Sequence, residues 1–253
     1  MNEGISVHTL KGSDIWQTAV DSLINSLNNR LKTRKKVLLL LSGGSVVKLY
    51  ERITSYELRV TNLAIGQIDE RKFNIQHLTF NKEEINAEVI RKTGIWEICD
   101  RKNIPYYLIS QEGSLEEAAN NYNQQLSDLF ETFSYKIGVF GIGEDAHIAG
   151  LIPGYEAEWN VDKLMVGYDV GKHRQNNPAV LFCPQKFRQR ITVAPKAISQ
   201  LDYAIVVVTG EKKRKAIEQA LDPININNLN IYPAAIIQKM KRVDLFTDIK
   251  EAL

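Results

Sequence analysis

Tyr135-Lys136-Ile137-Gly138-Val139-Phe140-Gly141-Ile142-Gly143-Glu144-Asp145-Ala146-His147-Ile148-Ala149-Gly150-Leu151-Ile152-Pro153-Gly154 is the stretch on which the fold turns. Its apolar run, Ile137 to Phe140, has the length and bulk of a buried strand. Gly141 and Gly143 then release the backbone into a tight loop, and acidic residues and one histidine follow at once. Ligands of open α/β sheets sit at the carboxyl ends of the strands. Asp145 and His147 are therefore placed where a bound molecule meets the sheet.

The same grammar recurs on either side. Toward the N-terminus, Val37 to Leu41 is a continuous apolar strand that runs into Ser42-Gly43-Gly44-Ser45 and then a helix with Val46, Leu49, Tyr50 and Ile53 on one face. Strand, glycine loop, helix is a layout that presents free backbone N–H groups to an anion, although SGGS matches neither the Walker A nor the dinucleotide pattern. Leu63 to Ile68 reads as another strand, ending in the charges Asp69-Glu70-Arg71, which taken alone are a solvated loop. Ile15 to Leu31 has a helical period with Asp14 at its start and the basic patch Lys32 to Lys36 at its end. A charged helix is expected from Glu83 to about Arg91, a short apolar run from Ile104 to Ile109, and a helix opened by the capping box Ser114-Leu115-Glu116-Glu117. Residues 155 to 190 read as polar and irregular, with short strands at Lys163 to Tyr168 and Ala179 to Phe182. Ala204 to Val208 is a buried strand that ends in Thr209-Gly210 and four cations, Lys212 to Lys215. Cations in the first turn oppose the helix dipole, which makes sense where one of them faces a bound anion. Ile231 to Met240 reads as a final packed helix. The β–α alternation predicts an α/β fold: one doubly wound, mostly parallel sheet with helices on both faces, in a single domain over residues 1–253.

Composition excludes several classes. With 32 basic against 30 acidic residues and a net charge of +2, nothing argues for nucleic acid or an anionic membrane. The two cysteines, Cys99 and Cys183, form no CxxC and point to a reducing compartment without a disulfide framework. Met1 to Val7 has no basic region followed by an apolar core, and Val37 to Leu41 is far too short to span a bilayer, so a soluble cytoplasmic protein is expected. The four histidines, His8, His77, His147 and His173, are scattered without zinc-ligand spacing, and no G-x-S-x-G elbow is present. What remains is an anion site plus an acid/base pair, spread over strand ends at Ser42 to Ser45, Asp69 to Arg71, Asp145 to His147 and Lys212 to Lys215.

In that order these segments resemble the 6-phosphogluconolactonases, within the superfamily they share with glucosamine-6-phosphate deaminase/isomerase. Gly141 to Gly154 is similar to the lactonase pattern G-x-G-x-D-G-H-T-A-S-L-F-P-G, Arg190-Ile191-Thr192 to R-[IV]-T, and Val208 to Lys213 to V-T-G-x-x-K. The resemblance implies hydrolysis of 6-phospho-D-glucono-1,5-lactone in the pentose phosphate pathway, with a phosphosugar lactone as partner and no metal or organic cofactor. It implies a substrate phosphate held by Gly43, Gly44, Ser45, Arg190 and Lys213. It makes His147 the base that activates water, Asp145 the residue that orients it or binds sugar hydroxyls, and Arg71 the cation for charge at the carboxyl end. Asp69 matches the proton-moving position of the deaminase relatives. A monomer or small homo-oligomer is expected. The physical logic agrees: lactone opening needs a base that works near neutral pH, an oxyanion partner, and binding energy spent on a remote phosphate.

This chain departs from the pattern at Ala146, where the family has glycine, and at Ile148, Gly150 and Ile152. A positive φ at Ala146 would cost about 1–2 kcal/mol. The deaminase branch carries a glutamate five residues after the histidine and a tyrosine in its D-E-Y motif. Here those positions are Ile152 and Arg71. A deaminase/isomerase and a non-catalytic phosphosugar sensor are the alternatives.

Overall fold

The computed structural model describes residues 4–12, 14–54, 56, 62–73, 84–170 and 188–250. The expected strand at Ala179 to Phe182, with His77, His173 and Cys183, lies outside them. In chain order the elements are β1 (Gly4–Thr9), α1 (Asp14–Lys32), β2 (Val37–Leu41), α2 (Val47–Ile53), β3 (Leu63–Gln67), β4 (Asp69–Lys72), α3 (Asn86–Arg91), α4 (Ile95–Lys102) and β5 (Tyr106–Tyr107). They continue with α5 (Leu115–Thr132), β6 (Tyr135–Phe140), α6 (Glu156–Trp159), β7 (Met165–Asp169), β8 (Gln189–Val193), α7 (Pro195–Ile198), β9 (Tyr203–Val208), α8 (Arg214–Leu221) and β10 (Arg242–Thr247).

Seven strands form a sheet in the order β1-β10-β9-β6-β2-β3-β5, with every neighbouring pair parallel. The continuous apolar runs of β2, β6 and β9 are explained by burial on both sides, because successive side chains of a strand point to opposite faces. Leu38, Leu40, Phe140, Ala204 and Val206 pack into one core with α5 and α8. Leu39, Leu41, Ile137, Val139 and Ile205 pack into the other with α1 and α2. The doubly wound sheet read from the sequence is thus the fold observed.

The winding reverses between β2 and β6. From β2 the chain moves outward to β3 and β5, then returns to the other side of β2 at β6. A cleft opens at such a switch point. The loops that leave these two strands are Ser42 to Ser45 and Gly141 to Gly150.

One reading is corrected. Asp69-Glu70-Arg71 is not a solvated loop but part of β4, which joins an antiparallel sheet of order β4-β8-β7, and Asp69, Glu70 and Lys72 are buried there. The final packed helix read at Ile231 to Met240 is present as a 3₁₀ helix, Pro233–Lys239, and the strand β10 follows it. β1 and β10 were absent from the sequence reading, and they pair with each other at one end of the sheet. Among the described residues, no helix is long and apolar enough to cross a membrane.

Candidate active site

The SGGS loop is tied to the neighbouring strand before it turns. Ser42 Oγ donates to the Val139 carbonyl at 2.9 Å, and the Tyr50 hydroxyl donates to the Ser42 carbonyl at 2.8 Å. Gly44 then takes φ +74°, which favours glycine, and starts a 3₁₀ turn, Gly44–Val46, that leads into α2. No side chain caps the start of this turn at Gly43. The turn therefore presents backbone donors in the manner of an anion site.

The loop after β6 is held by its own backbone. The Gly143 N–H donates to the His147 carbonyl at 2.9 Å and the Ala146 N–H to the Gly143 carbonyl at 3.1 Å. The two glycines do not work by releasing φ, as the sequence suggested. Neither lies at positive φ, whereas Ala146 (φ +63°) and Ala149 (φ +54°) do. Gly143 is required for close approach: a Cβ there would lie 2.1 Å from His147 Nδ1 and 2.6 Å from Asp145 Oδ1. The imidazole thus packs over bare backbone, and its Nδ1 lies 2.5 Å from Asp145 Oδ1. Burial would raise the Asp145 carboxyl, but the hydrogen bonds and charge of His147 outweigh it and hold Asp145 below its ordinary value. In the neutral ring, an ionised carboxylate at Nδ1 assigns the proton to Nδ1 and leaves the lone pair on Nε2.

The third part comes from β4 and β8. Their antiparallel register sets Asp69 opposite Thr192 and Arg71 opposite Arg190. Two arginines directly across a ladder repel each other, so this placement calls for anions nearby. One is Asp69, fully buried: desolvation raises its carboxyl, and Arg190, Arg71, His147 and an Asn86 hydrogen bond oppose that shift. Burial, then the field of Arg190, lowers Arg71, whose Nη1 donates to the Glu84 carbonyl at 3.0 Å. Burial also lowers Lys213, against the pull of Glu144 and Asp145. Of the four cations after Gly210, Lys213 turns to the site, Arg214 pairs with Glu211, and Lys212 and Lys215 are exposed.

A cavity of about 160 Å³ brings together Gly43, Gly44, Ser45, Asp69, Arg71, His147, Arg190 and Lys213, with Asp145 standing behind His147. Every site residue singled out in the sequence is therefore at this one place. A larger hollow of about 580 Å³ lies beside the start of α5 and over β7, and it contains none of them. Chemistry rather than volume selects the smaller cavity. Among the described residues, no group of three or more His, Cys, Asp or Glu side chains could hold a metal ion.

A family model described as glucosamine-6-phosphate isomerases/6-phosphogluconolactonase matches residues 11–246. The chain belongs to this family. A 6-phosphogluconolactonase of a Nostoc species is 29% identical over 230 residues, covering 87% of this chain and 85% of that one. One from Xylella fastidiosa is 26% identical over 211 residues, covering 81% and 80%. Among solved structures, the 6-phosphogluconolactonase of Thermotoga maritima matches with a TM-score of 0.75 at 15% identity, over 96% of this chain and 99% of that one. A monomeric glucosamine-6-phosphate deaminase matches at 0.65 and 15% identity, over 98% of each chain. At such identities the structures share the fold with this chain, and the two branches share it with each other.

Within this isomerase/lactonase fold, two residues of the site escaped the sequence reading. Asn86, at the start of α3, lines the cavity, and its Nδ2 donates to the Asp69 carbonyl at 3.0 Å and to Asp69 Oδ2 at 2.9 Å. Its Oδ1 lies 2.2 Å from where a Gly43 Cβ would be, so Gly43 is bare to let Asn86 in. Glu70 holds Asn86 in turn. Its carboxyl accepts the backbone N–H groups of Arg71, Asn86 and Ala87 at 2.7–2.8 Å and the Gln67 amide at 3.0 Å. Burial nonetheless pushes it up to about 7 against the pull of those donors. Sequence reading makes Glu70 a solvated charge because two of its partners lie 16 and 17 residues on, at the start of α3, where no local spacing ties them to β4.

Proposed function

We propose that the protein hydrolyses 6-phospho-D-glucono-1,5-lactone to 6-phosphogluconate, the lactone-opening step of the pentose phosphate pathway. The observation that carries this reading is the Asp145–His147 contact, which leaves Nε2 as a base in a cavity lined by three cations and the SGGS turn. The phosphate rests on the N–H groups of Gly43, Gly44 and Ser45, the Ser45 hydroxyl, Arg190 and Lys213, and so fixes the far end of the substrate. His147 Nε2 takes a proton from water as the water oxygen bonds to the lactone carbonyl carbon. Arg71 meets the oxyanion that forms on the carbonyl oxygen. When the carbonyl reforms, the ring C–O bond breaks and the leaving oxygen takes the proton back from the imidazolium. Asp145 stabilises that imidazolium throughout. The product acid then loses its own proton to solvent. Asp69, held by Asn86 between the two arginines, balances their charge and orients them. In this reading residues 1–253 act as one domain in the cytoplasm.

Ile152 supports the lactonase branch over the deaminase branch. Its side chain is buried, and it occupies the position where the resemblance puts the deaminase glutamate. Purified protein with fresh lactone, the spontaneous hydrolysis subtracted, is expected to show rapid turnover. It is expected to release no ammonia from glucosamine 6-phosphate. Enzyme-dependent ammonia production with no gain over spontaneous lactone opening would move the protein to the other branch.

A further inference from the structure

We propose that Thr192 and Tyr168, on the small antiparallel sheet, are positioning residues that clamp the His147 loop against the cation-bearing strand. The proposal rests on the hydrolase reading above. Gly150 is the fixed point. Its N–H donates to Thr192 Oγ1 at 2.9 Å, and its carbonyl accepts the Tyr168 hydroxyl at 2.5 Å. The same Tyr168 oxygen accepts the Ile152 N–H at 3.2 Å, and Trp159 Nε1 donates to the Ile152 carbonyl at 3.1 Å. Thr192 and Tyr168 are buried, so water is a poor substitute for either hydroxyl. The approach is tight: a Cβ on Gly150 would lie 2.7 Å from Thr192 Cβ. This accounts for glycine at position 150, where the family pattern has serine.

The register shows what the clamp connects. Thr192 stands two residues from Arg190 on β8 and therefore on the same face, opposite Asp69, while Tyr168 stands opposite Arg190 from the other side. His147 is three residues from Gly150. One hydroxyl thus joins the strand that carries the phosphate-side cation to the loop that carries the base. The loop is also under strain, since Ala146 and Ala149 both hold positive φ. Such conformations persist only where surrounding contacts over-determine them. With Gly150 released, the alanines relax and the imidazole moves relative to Arg71 and Arg190, while the phosphate contacts stay in place.

The test compares Thr192→Val, Thr192→Ser and Tyr168→Phe in kcat, KM and the His147 Cε1–H resonance of ¹³C-histidine-labelled protein, assigned through His147→Gln. Thr192→Val is expected to lower kcat by roughly ten- to a hundredfold, with KM within about twofold, the size that a small misplacement of a reacting group produces. Its His147 resonance is expected to shift or broaden. Thr192→Ser, which keeps the hydroxyl, is expected to restore both, and Tyr168→Phe to fall between. A folded Thr192→Val with wild-type kcat and an unmoved resonance would overturn the clamp, as would a loss in Thr192→Ser as large as in Thr192→Val. Should Thr192→Val not fold, wild-type kcat and resonance in Tyr168→Phe would overturn it equally. If the wild type does not open the lactone, the proposed function fails, and the resonance alone decides the clamp.

Discussion

In the proposed mechanism His147 acts through one nitrogen only if Asp145 keeps hold of the other, and that sets what a substitution should do. Glutamine at 147 can still hydrogen-bond but cannot take a proton near neutral pH. His147→Gln is expected to fold, to keep KM, and to lose roughly 10²- to 10⁴-fold in kcat, the usual size of a general-base contribution. Loss of binding with kcat intact would instead make His147 a ligand contact. Glu70, which burial pushes up to about 7, remains in His147→Gln, so a pH dependence of kcat that survives there belongs to Glu70. At this scale the sequence was informative where chemistry is local. His147, Asp145 and the suspect Ala146 all stood within one short loop. It was blind to Asn86, whose role exists only because β4 and Gly43 converge on it from other parts of the chain.

Two short elements carry the proposed anion site and its support. The turn after Gly210 points one cation inward, with Gly210 at φ +96° and its N–H held by Asp248 Oδ1 at 2.8 Å. Lys213→Ala is expected to raise KM for the phosphosugar by about one to two powers of ten, as loss of a charge-assisted hydrogen bond of about 1.5–3 kcal/mol should, and Lys212→Ala to leave it unchanged. Inorganic phosphate should compete with substrate and raise Tm in the wild type but far less in Lys213→Ala, since a ligand bound only by the folded state stabilises it. The reverse result for the two lysines would mean that the turn presents the other side chain. At β4 and the start of α3 the prediction concerns pH. The folded Glu70 carboxyl, raised to about 7 from an ordinary 4.5, holds its proton where the unfolded chain has lost it. The folded state then binds more protons, so stability falls as pH rises. The advantage of the wild type over Glu70→Gln, which does not titrate, should shrink between about pH 4.5 and 7 by something on the order of 3 kcal/mol and stay constant above. Parallel chemical melts at several pH values would check it, and a flat difference would show that the four donors keep Glu70 ionised. The elements that sequence reading found were those with a period or a cap. The capping box at Ser114 is present as read, with both reciprocal hydrogen bonds. β4 reads Asp-Glu-Arg-Lys and has no strand signal, because its burial comes from β8 and α3 rather than from its own side chains.

Across the whole molecule, the candidate site forms because two loops emerge on either side of the winding reversal while the small sheet closes the cleft from beside it. The main sheet was legible because its central strands are apolar on both faces. Its far edge was not, since β1 has only Ile5 and Val7 as apolar side chains and β10 begins with Arg242 and carries Asp244. That edge also bears on how the chain comes into being. β1 pairs along its whole length with β10, His8 beside Phe246. During synthesis β1 must wait for β10 before the two can pair, and at about 5–20 residues per second that wait is on the order of ten to fifty seconds. β2, β3 and β6 can assemble once residue 140 has emerged, so a nascent chain should carry a folded centre while β1 is still unpaired. Pulse proteolysis of ribosome-stalled chains should find β1 cleavable until Thr247 has cleared the exit tunnel, and protected soon after.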